Sequence, residues 1–188
     1  MTIDRIKEIE QLASQIEVPA WMRIDENADA AYYRFLYLLA GELSMPANIV
    51  ELGTWRGVSA MCLAEGSKES KVFTYDIGPQ VIEGARRPNI HYVVRDSFEA
   101  DKAIEPVQIL FIDTVHDGPR ARLEFEIWLP LLSKDAVVLF DDVSLNDSMK
   151  EFWARFNPPG FLKADTDLHG SAGFGVLVRS TDDDGEKK

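Results

Sequence analysis

The sequence has one cysteine, Cys62, so no internal disulfide can form. It follows a glycine turn in an apolar stretch, where a buried thiol packing as a small hydrophobe is expected. Positive charge is also scarce. Twenty Lys and Arg stand against 32 Asp and Glu, a formal net charge of −12. Such a surface opposes binding to nucleic-acid backbones and anionic membranes. No apolar run approaches the length that spans a bilayer, and residues 1–11 lack the apolar centre of a signal peptide. No repeat or interdomain linker appears. These absences predict one cytoplasmic domain with no nucleic-acid and no membrane partner. Its 188 residues can bury roughly 70% of their unfolded surface in one core.

What is present is alternation. Ile3, Ile6, Ile9, Ala13 and Ile16 recur at helical spacing and predict an amphipathic helix that ends before Pro19. A second helix, over about 28–43, is apolar around most of its circumference and therefore well buried. Strands are predicted at 48–52, 71–76, 90–94, 107–112, 136–141, 161–165 and 173–179, and helices at 57–66, 79–85, 119–132 and 146–156. Strands separated by helices imply parallel pairing with right-handed crossovers. Only 166–172 separates the last two strands, too short for a crossover, so that pair is an antiparallel hairpin. The domain is expected over 1–180 and a disordered tail over 181–188.

Residues 49–60 read Ile-Val-Glu-Leu-Gly-Thr-Trp-Arg-Gly-Val-Ser-Ala. An apolar run, an acid (Glu51), two glycines (Gly53 and Gly57) and a helix start mark the place where an open α/β sheet receives an adenosine-containing cofactor. Asp76 closes the next apolar run, 23 residues after Gly53, where an acid would hold a ribose hydroxyl. A dinucleotide fingerprint wants a third glycine in the middle of the turn; Trp55 stands there, and its indole would obstruct a diphosphate. S-adenosylmethionine carries no phosphate and needs only one close backbone approach. The terminal hairpin also departs from the nucleotide-dehydrogenase pattern, so an NAD(P)-dependent oxidoreductase is the disfavoured alternative.

Two further strands end in acids: Phe111-Ile-Asp-Thr-Val-His-Asp117 and Leu139-Phe-Asp-Asp142. Carboxyl ends of neighbouring parallel strands converge, which predicts that Asp113, Asp141 and Asp142 lie close together. Three carboxylates in one space repel unless a cation or protons intervene. Oxygen-only ligands suit Mg²⁺. The plainer alternatives are that Asp141 or Asp142 caps the following helix and that His116 is a structural or surface histidine.

The run from Glu51 to Ser59 resembles the first motif of class I S-adenosylmethionine-dependent methyltransferases. The likeness is to small-molecule O-methyltransferases of the catechol, caffeoyl-CoA and antibiotic-sugar types. Glu51, Gly53, Trp55, Gly57 and Ser59 match an E-x-G-x-[aromatic]-x-G-x-S pattern, and the likeness extends over about 32–178. It implies a Rossmann-like α/β fold: a seven-stranded, mostly parallel sheet with a C-terminal antiparallel hairpin and helices on both faces. It also implies that residues 1–45 cover the cofactor and acceptor site. Glu51, Gly53, Thr54, Trp55, Gly57 and Ser59 would then form the cofactor turn. In that turn Gly53 admits the methionine part and Glu51 helps place its ammonium group. Asp76 would take the ribose hydroxyls and Asp96 the adenine amine, with Ser97 and Phe98 beside it. Asp113 would border the cofactor and, with Asp141 and Asp142, hold Mg²⁺. Asp142 stands where catechol-type enzymes carry asparagine, while antibiotic-sugar enzymes carry an Asp-Asp pair.

The implied reaction is O-methylation of a small hydroxylated acceptor. His116, in the place of a catechol-type lysine, fits a general base, since an ordinary imidazole titrates near pH 6.5. His169, in the hairpin loop, would be a second base or a substrate contact. Trp21, Met22, Tyr32 and Tyr33 are candidates for the acceptor pocket, though aromatics on a buried helix are more often core. His91, Trp128 and Trp153 read as structural. The family often forms homodimers. A non-catalytic methyltransferase-like domain is the remaining alternative, opposed by the intact Asp113, His116, Asp141 and Asp142 set.

Overall fold

A computed structural model of the chain describes residues 1–24 and 30–180. Thr2 starts the first helix, α1 (Ile3–Gln15), its side-chain oxygen accepting from the Arg5 N–H at 3.2 Å. Ile6, Ile9 and Ala13 form its buried stripe, and Ile16 is already extended ahead of Pro19. Helix α2 (Ala31–Gly41) buries Tyr32, Tyr33, Phe35, Leu36, Leu39 and Ala40, so little of its circumference meets water. Its expected start near Ala28 lies outside the described residues, as does the expected disordered tail at 181–188.

The strands are β1 (Asn48–Leu52), β2 (Lys71–Asp76), β3 (Ile90–Val94), β4 (Val107–Ile112), β5 (Leu132–Asp141), β6 (Phe161–Thr166) and β7 (Phe174–Arg179). They form one sheet in the order β3-β2-β1-β4-β5-β7-β6. The first five are parallel, and β7 runs antiparallel to both of its neighbours. Helices α3 (Val58–Gly66), α4 (Gly118–Trp128) and α5 (Asp147–Arg155) complete the domain. The alternation of side chains along each strand divides the core into two layers. Ile49, Phe111, Val137 and Leu139 pack with α1, α2 and α3, whereas Val50, Leu110, Val138 and Phe140 pack with α4 and α5. The same parity carries Glu51, Asp113 and Asp141 to the α1–α3 side.

Register aligns the ends. Leu52 lies opposite both Tyr75 of β2 and Ile112 of β4, and Ile112 lies opposite Phe140 of β5. Gly53, Asp76, Asp113 and Asp141 therefore stand in a row along one edge. The strand order reverses between β1 and β4, the crevice where open α/β sheets receive ligands. Among the described residues no helix is long and apolar enough to cross a membrane.

Three predicted elements are corrected. No α-helix forms over 79–85, where the structure has only a 3₁₀ turn, Glu83–Ala85. The N–H groups of Gln80 and Ile82 instead donate to the carbonyls of Trp55 and Arg56, at 2.8 and 3.2 Å. Pro79 has no N–H, so this segment is committed to bracing the glycine turn. The helix expected over 119–132 ends at Trp128 and tightens to 3₁₀ at Leu129–Leu131, because Pro130 cannot continue the α-helical ladder. Strand β5 consequently begins at Leu132 rather than 136.

Gly53 (φ +103°), just after β1, lies directly against the backbone of Asp113, just after β4. A Cβ there would stand 1.7 Å from the carbonyl oxygen of Asp113, an overlap with backbone that no rotamer relieves. Gly53→Ala should lower unfolding stability by at least about 3 kcal/mol. Gly41→Ala, which meets nothing nearer than 3.6 Å, should change it by less than about 1 kcal/mol. Urea denaturation of both variants checks the contrast, and equal midpoints would contradict it.

Candidate functional site

The turn after β1 is built from unusual backbone. Gly53 and Gly57 have φ of +103° and +78°, and Trp55 sits at +40°, a conformation costly for an indole-bearing residue. The Gly57 N–H closes the turn on the Thr54 carbonyl at 2.7 Å. Asp76 holds it from the side: one carboxylate oxygen accepts from the Trp55 N–H at 2.9 Å, the other from the Gly78 N–H at 2.7 Å. The Trp55 side chain points outward and is 55% exposed. Beneath the turn, Glu51 is fully buried. It accepts from the Thr74 hydroxyl, which also shares a 2.7 Å hydrogen bond with Thr54. Burial pushes the Glu51 carboxyl up to about 8, against the opposing pull of the Ser59 and Thr74 hydroxyls.

Two adjoining cavities open at this edge and share Gly53, Trp55 and Asp113 as walls. The smaller, about 240 Å³, runs past Asp76, Ile77, Arg95, Ser97, Val115 and Arg120. The larger, about 490 Å³, is lined by the glycine turn, Tyr32 and Tyr33 on one side. Asp113, His116, Asp141, Asp142 and His169 line the other.

In the larger cavity acids and imidazoles alternate. His169 Nδ1 lies 2.9 Å from Asp141 Oδ1 and 3.2 Å from Asp142 Oδ1. His116 Nε2 lies 3.0 Å from Asp142 Oδ2 and 3.8 Å from Asp113 Oδ1. Successive strand residues face opposite sides, yet Asp141 and Asp142 share the cavity, because Asp142 adopts φ +55° and turns back. Loss of hydration, reinforced by the charge of Asp141, pushes Asp113 up to about 7. Burial likewise raises Asp141. Burial opposes ionisation of Asp142, but the two imidazoles outweigh it and hold the group below the usual carboxylate range. Asp113 and Asp142 raise His116 to about 10, while Asp141 and Asp142 raise His169 to about 10. The flanking carboxylates thus favour the protonated form of both imidazoles. The expectation for His116 was an ordinary imidazole near pH 6.5; the flanking carboxylates raise it here.

The expected residues divide by place. Gly53, Thr54, Trp55, Gly57, Ser59, Asp76, Ser97, Asp113, His116, Asp141, Asp142 and His169 all line one cavity or the other. Glu51 lies behind the turn. Asp96 and Phe98 line neither cavity but contact Arg120, which does: it is 3.3 Å from Asp96 and 4.3 Å from the centre of the Phe98 ring. The helix-cap reading of Asp141 and Asp142 is replaced by Asn146, whose side chain accepts from the Met149 N–H at 2.9 Å. Tyr32 and Tyr33 line the larger cavity, whereas Met22 is fully buried and Trp21 packs on Tyr37. His91 stacks on Phe73 away from the site. Trp128 packs edge-on to Tyr75 and donates to the Ser97 carbonyl at 2.7 Å; Trp153 is core.

Sequence reasoning missed Ile77, Val115, Arg120 and Glu124. Ile77 and Val115 are 77% and 61% exposed at the mouth of the smaller cavity, on loops whose pattern carries no signal. Glu124 is fully buried and accepts from Ser97 at 2.6 Å, Thr114 at 2.8 Å and Arg120 at 3.3 Å. The Arg120–Glu124 spacing of four on a helix was the available clue.

Sheet order and edge chemistry together define a Rossmann-like methyltransferase fold. The chain belongs to the methyltransferase-domain family, whose profile matches residues 50–143, in agreement with the class I resemblance of its glycine turn. It is 31% identical over 135 residues to the uncharacterized protein y4gI of Sinorhizobium fredii. That match takes in 58% of this chain and 15% of y4gI, so the chain spans only a small part of that relative's length. Among solved structures it is similar to the S-adenosylhomocysteine-bound methyltransferase PaMTH1 of Podospora anserina (16% identity, 96% of this chain and 97% of that one, TM-score 0.68). It is also similar to the O-methyltransferase TomG of Streptomyces achromogenes in complex with S-adenosylmethionine (19%, 96% and 91%, TM-score 0.63). A third likeness is to an O-methyltransferase of Bacillus cereus in complex with S-adenosylhomocysteine (21%, 96% and 92%, TM-score 0.58). At these identities the structures establish the fold.

The raised Glu51 carboxyl carries a stability consequence. Unfolded, it titrates near 4.3; folded, near 8. Between those values the folded protein holds a proton that the unfolded chain has released, so stability falls as pH rises, by up to about 1.4 kcal/mol per unit. Glu51→Gln should remove this contribution, gaining on the wild type steadily from pH 5 to 8 in urea titrations. Parallel curves for the two proteins would show that Glu51 titrates normally.

Proposed function

We propose that this chain transfers the methyl group of S-adenosylmethionine to a hydroxyl of a small acceptor, with a divalent cation at the acceptor site. The observation that carries the reading is the shared wall: a cavity bordered by Asp76 meets, across Gly53, Trp55 and Asp113, a second cavity ringed by three acids and two histidines. The cofactor bound by PaMTH1, TomG and the Bacillus cereus enzyme supports it.

The residues present fit both groups. Each Asp76 oxygen is engaged by one backbone N–H, which leaves each a lone pair for a ribose hydroxyl. Ile77 and Val115 offer apolar surface to a purine, and Arg95, Ser97 and Arg120 offer polar donors. Glu51 acts from beneath, as a positioning residue: through Thr74 and Thr54 it fixes the turn against which the methionine part would lie. In the larger cavity Asp142 Oδ1 and His116 Nε2 are buried without an in-line partner, a deficit that a cation and an acceptor oxygen would relieve.

When bound, the sulfonium supplies an electrophilic methyl group and the cation a Lewis acid that lowers the pKa of the acceptor hydroxyl. Asp113 stands at the boundary of the two cavities and orients the groups that meet there. With Asp113 and Asp142 neutralised by a bound cation, His116 would lose what holds it protonated, and its Nε2 would be able to accept a proton. Tyr32, raised by burial and hence un-ionised, shapes the acceptor side. Alignment of donor and acceptor is the main contribution of such a site.

Thermal shift separates this reading from a dinucleotide enzyme. S-adenosylhomocysteine at 100 times its Kd should stabilise the protein by about 2.7 kcal/mol, or roughly 5–10 °C, while NAD and NADP leave Tm unchanged. Stabilisation by NAD alone would sink the proposal. Asp76→Asn should weaken S-adenosylhomocysteine at least about tenfold by calorimetry, through loss of two charge-assisted hydrogen bonds. Asp141→Asn should retain that affinity but lose methyl transfer from labelled S-adenosylmethionine to a panel of catechol-type and sugar hydroxyl acceptors.

A further inference from the structure

The expected cation was Mg²⁺, on the premise of oxygen ligands only. We infer that the site takes instead a transition-metal dication of the Fe²⁺, Co²⁺, Zn²⁺ class, with the His169 imidazole joining Asp141 and Asp142 as ligand. The inference rests on the proposed function for its place in catalysis but on separate observations for its chemistry.

One ligand atom from each of Asp141, Asp142 and His169 lies within 4.8 Å of the others, and Asp113, His116 and Asp141 form a second such set. Each set contains an imidazole. The three acids were expected to converge by themselves; the fold interleaves them with nitrogen donors. Asp142 is 8% exposed. Its Oδ1 has no hydrogen-bond partner, although His169 Nδ1 lies 3.2 Å away. His116 Nε2 is likewise buried without an in-line acceptor. Two orphaned polar atoms, one oxygen and one nitrogen, thus face the same cavity. Buried polar groups are seldom left so without a ligand to meet them.

The backbone is shaped to the same end. The φ of +55° at Asp142 brings consecutive carboxylates into one cavity. The His169 loop is tied to the segment after β5 by the Ser144 N–H, which donates to the Ala172 carbonyl at 2.6 Å. The imidazole packs against the Tyr32 ring, 4.6 Å between centroids, and Tyr32 in turn stacks on Phe174. A nitrogen donor held this way suits borderline cations. Mg²⁺ prefers oxygen and dehydrates reluctantly, so an imidazole ligand selects against it.

The probe is Co²⁺, titrated into tag-free protein and followed by its visible d–d absorption and by proton NMR. Binding of one equivalent, with a paramagnetically shifted exchangeable imidazole N–H in the wild type, is the expected result. A hundredfold excess of Mg²⁺ should not displace it, and Zn²⁺ should. His169→Asn and His169→Gln, shown folded by circular dichroism, should bind Co²⁺ at least tenfold more weakly. Displacement by equimolar Mg²⁺, absence of the shifted imidazole signal, or wild-type Co²⁺ affinity in both variants would each overturn the inference. S-adenosylhomocysteine calorimetry on the same samples reports separately on the proposed methyl transfer: failure there with intact Co²⁺ ligation would remove the activity and leave the metal site.

Discussion

The architecture turns on how closely two parallel strands meet at one edge of the sheet. Beyond Leu52, β1 has no side chain at Gly53, and the Asp113 backbone occupies the space a Cβ would need. The Asp113 N–H donates to the Leu52 carbonyl and the Gly53 N–H to the Tyr75 carbonyl, both at 2.8 Å. Three strand ends are locked together by those bonds. The glycine turn, the acid of β2 and the acid of β4 acquire fixed positions relative to one another, and the two cavities share a wall for that reason. Gly53 is thus required by the protein's own packing before any ligand is considered.

The same closeness creates an electrostatic problem. Asp113, Asp141 and Asp142 face one cavity on the α1–α3 side, with Glu51 buried nearby. Left alone, such carboxylates would bind protons or force the strand ends apart. His116 and His169 supply two positive charges, and the resulting pKa shifts are reciprocal: imidazoles raised, Asp142 lowered. Asp113 and Asp141, more dominated by lost hydration, rise. The arrangement is internally compensated as it stands, yet two of its polar atoms remain without in-line partners. A cation would exchange imidazolium compensation for metal compensation, and in doing so change the protonation of the histidines. On the proposed function, that exchange would link cation binding to the availability of a base.

Much of this was legible in the chain. The strand positions, the parallel sheet and the terminal hairpin follow from apolar periodicity and loop length, which are local. The glycine turn was legible because Glu51, Gly53, Trp55, Gly57 and Asp76 lie within 26 residues and obey a backbone rule. Residues 79–85 misled, since their composition permits a helix, whereas the carbonyls of Trp55 and Arg56 claim the N–H groups of Gln80 and Ile82. Ile77, Val115 and Glu124 were illegible, because a loop side chain's direction is decided by what packs around it.

Sequence alone determined that acids would end β1, β2, β4 and β5, since period-two alternation and strand length place Glu51, Asp76, Asp113 and Asp141 there. It also set Trp55 in the middle of the glycine turn, where a dinucleotide fingerprint wants glycine. Tertiary structure decided what surrounds those acids. His169 comes from a hairpin 28 residues beyond Asp141 and His116 from the loop after β4, and their meeting at Asp142 depends on a left-handed backbone step and on the packing of Tyr32. Periodicity is a property of neighbours along the chain; charge compensation is a property of neighbours in space.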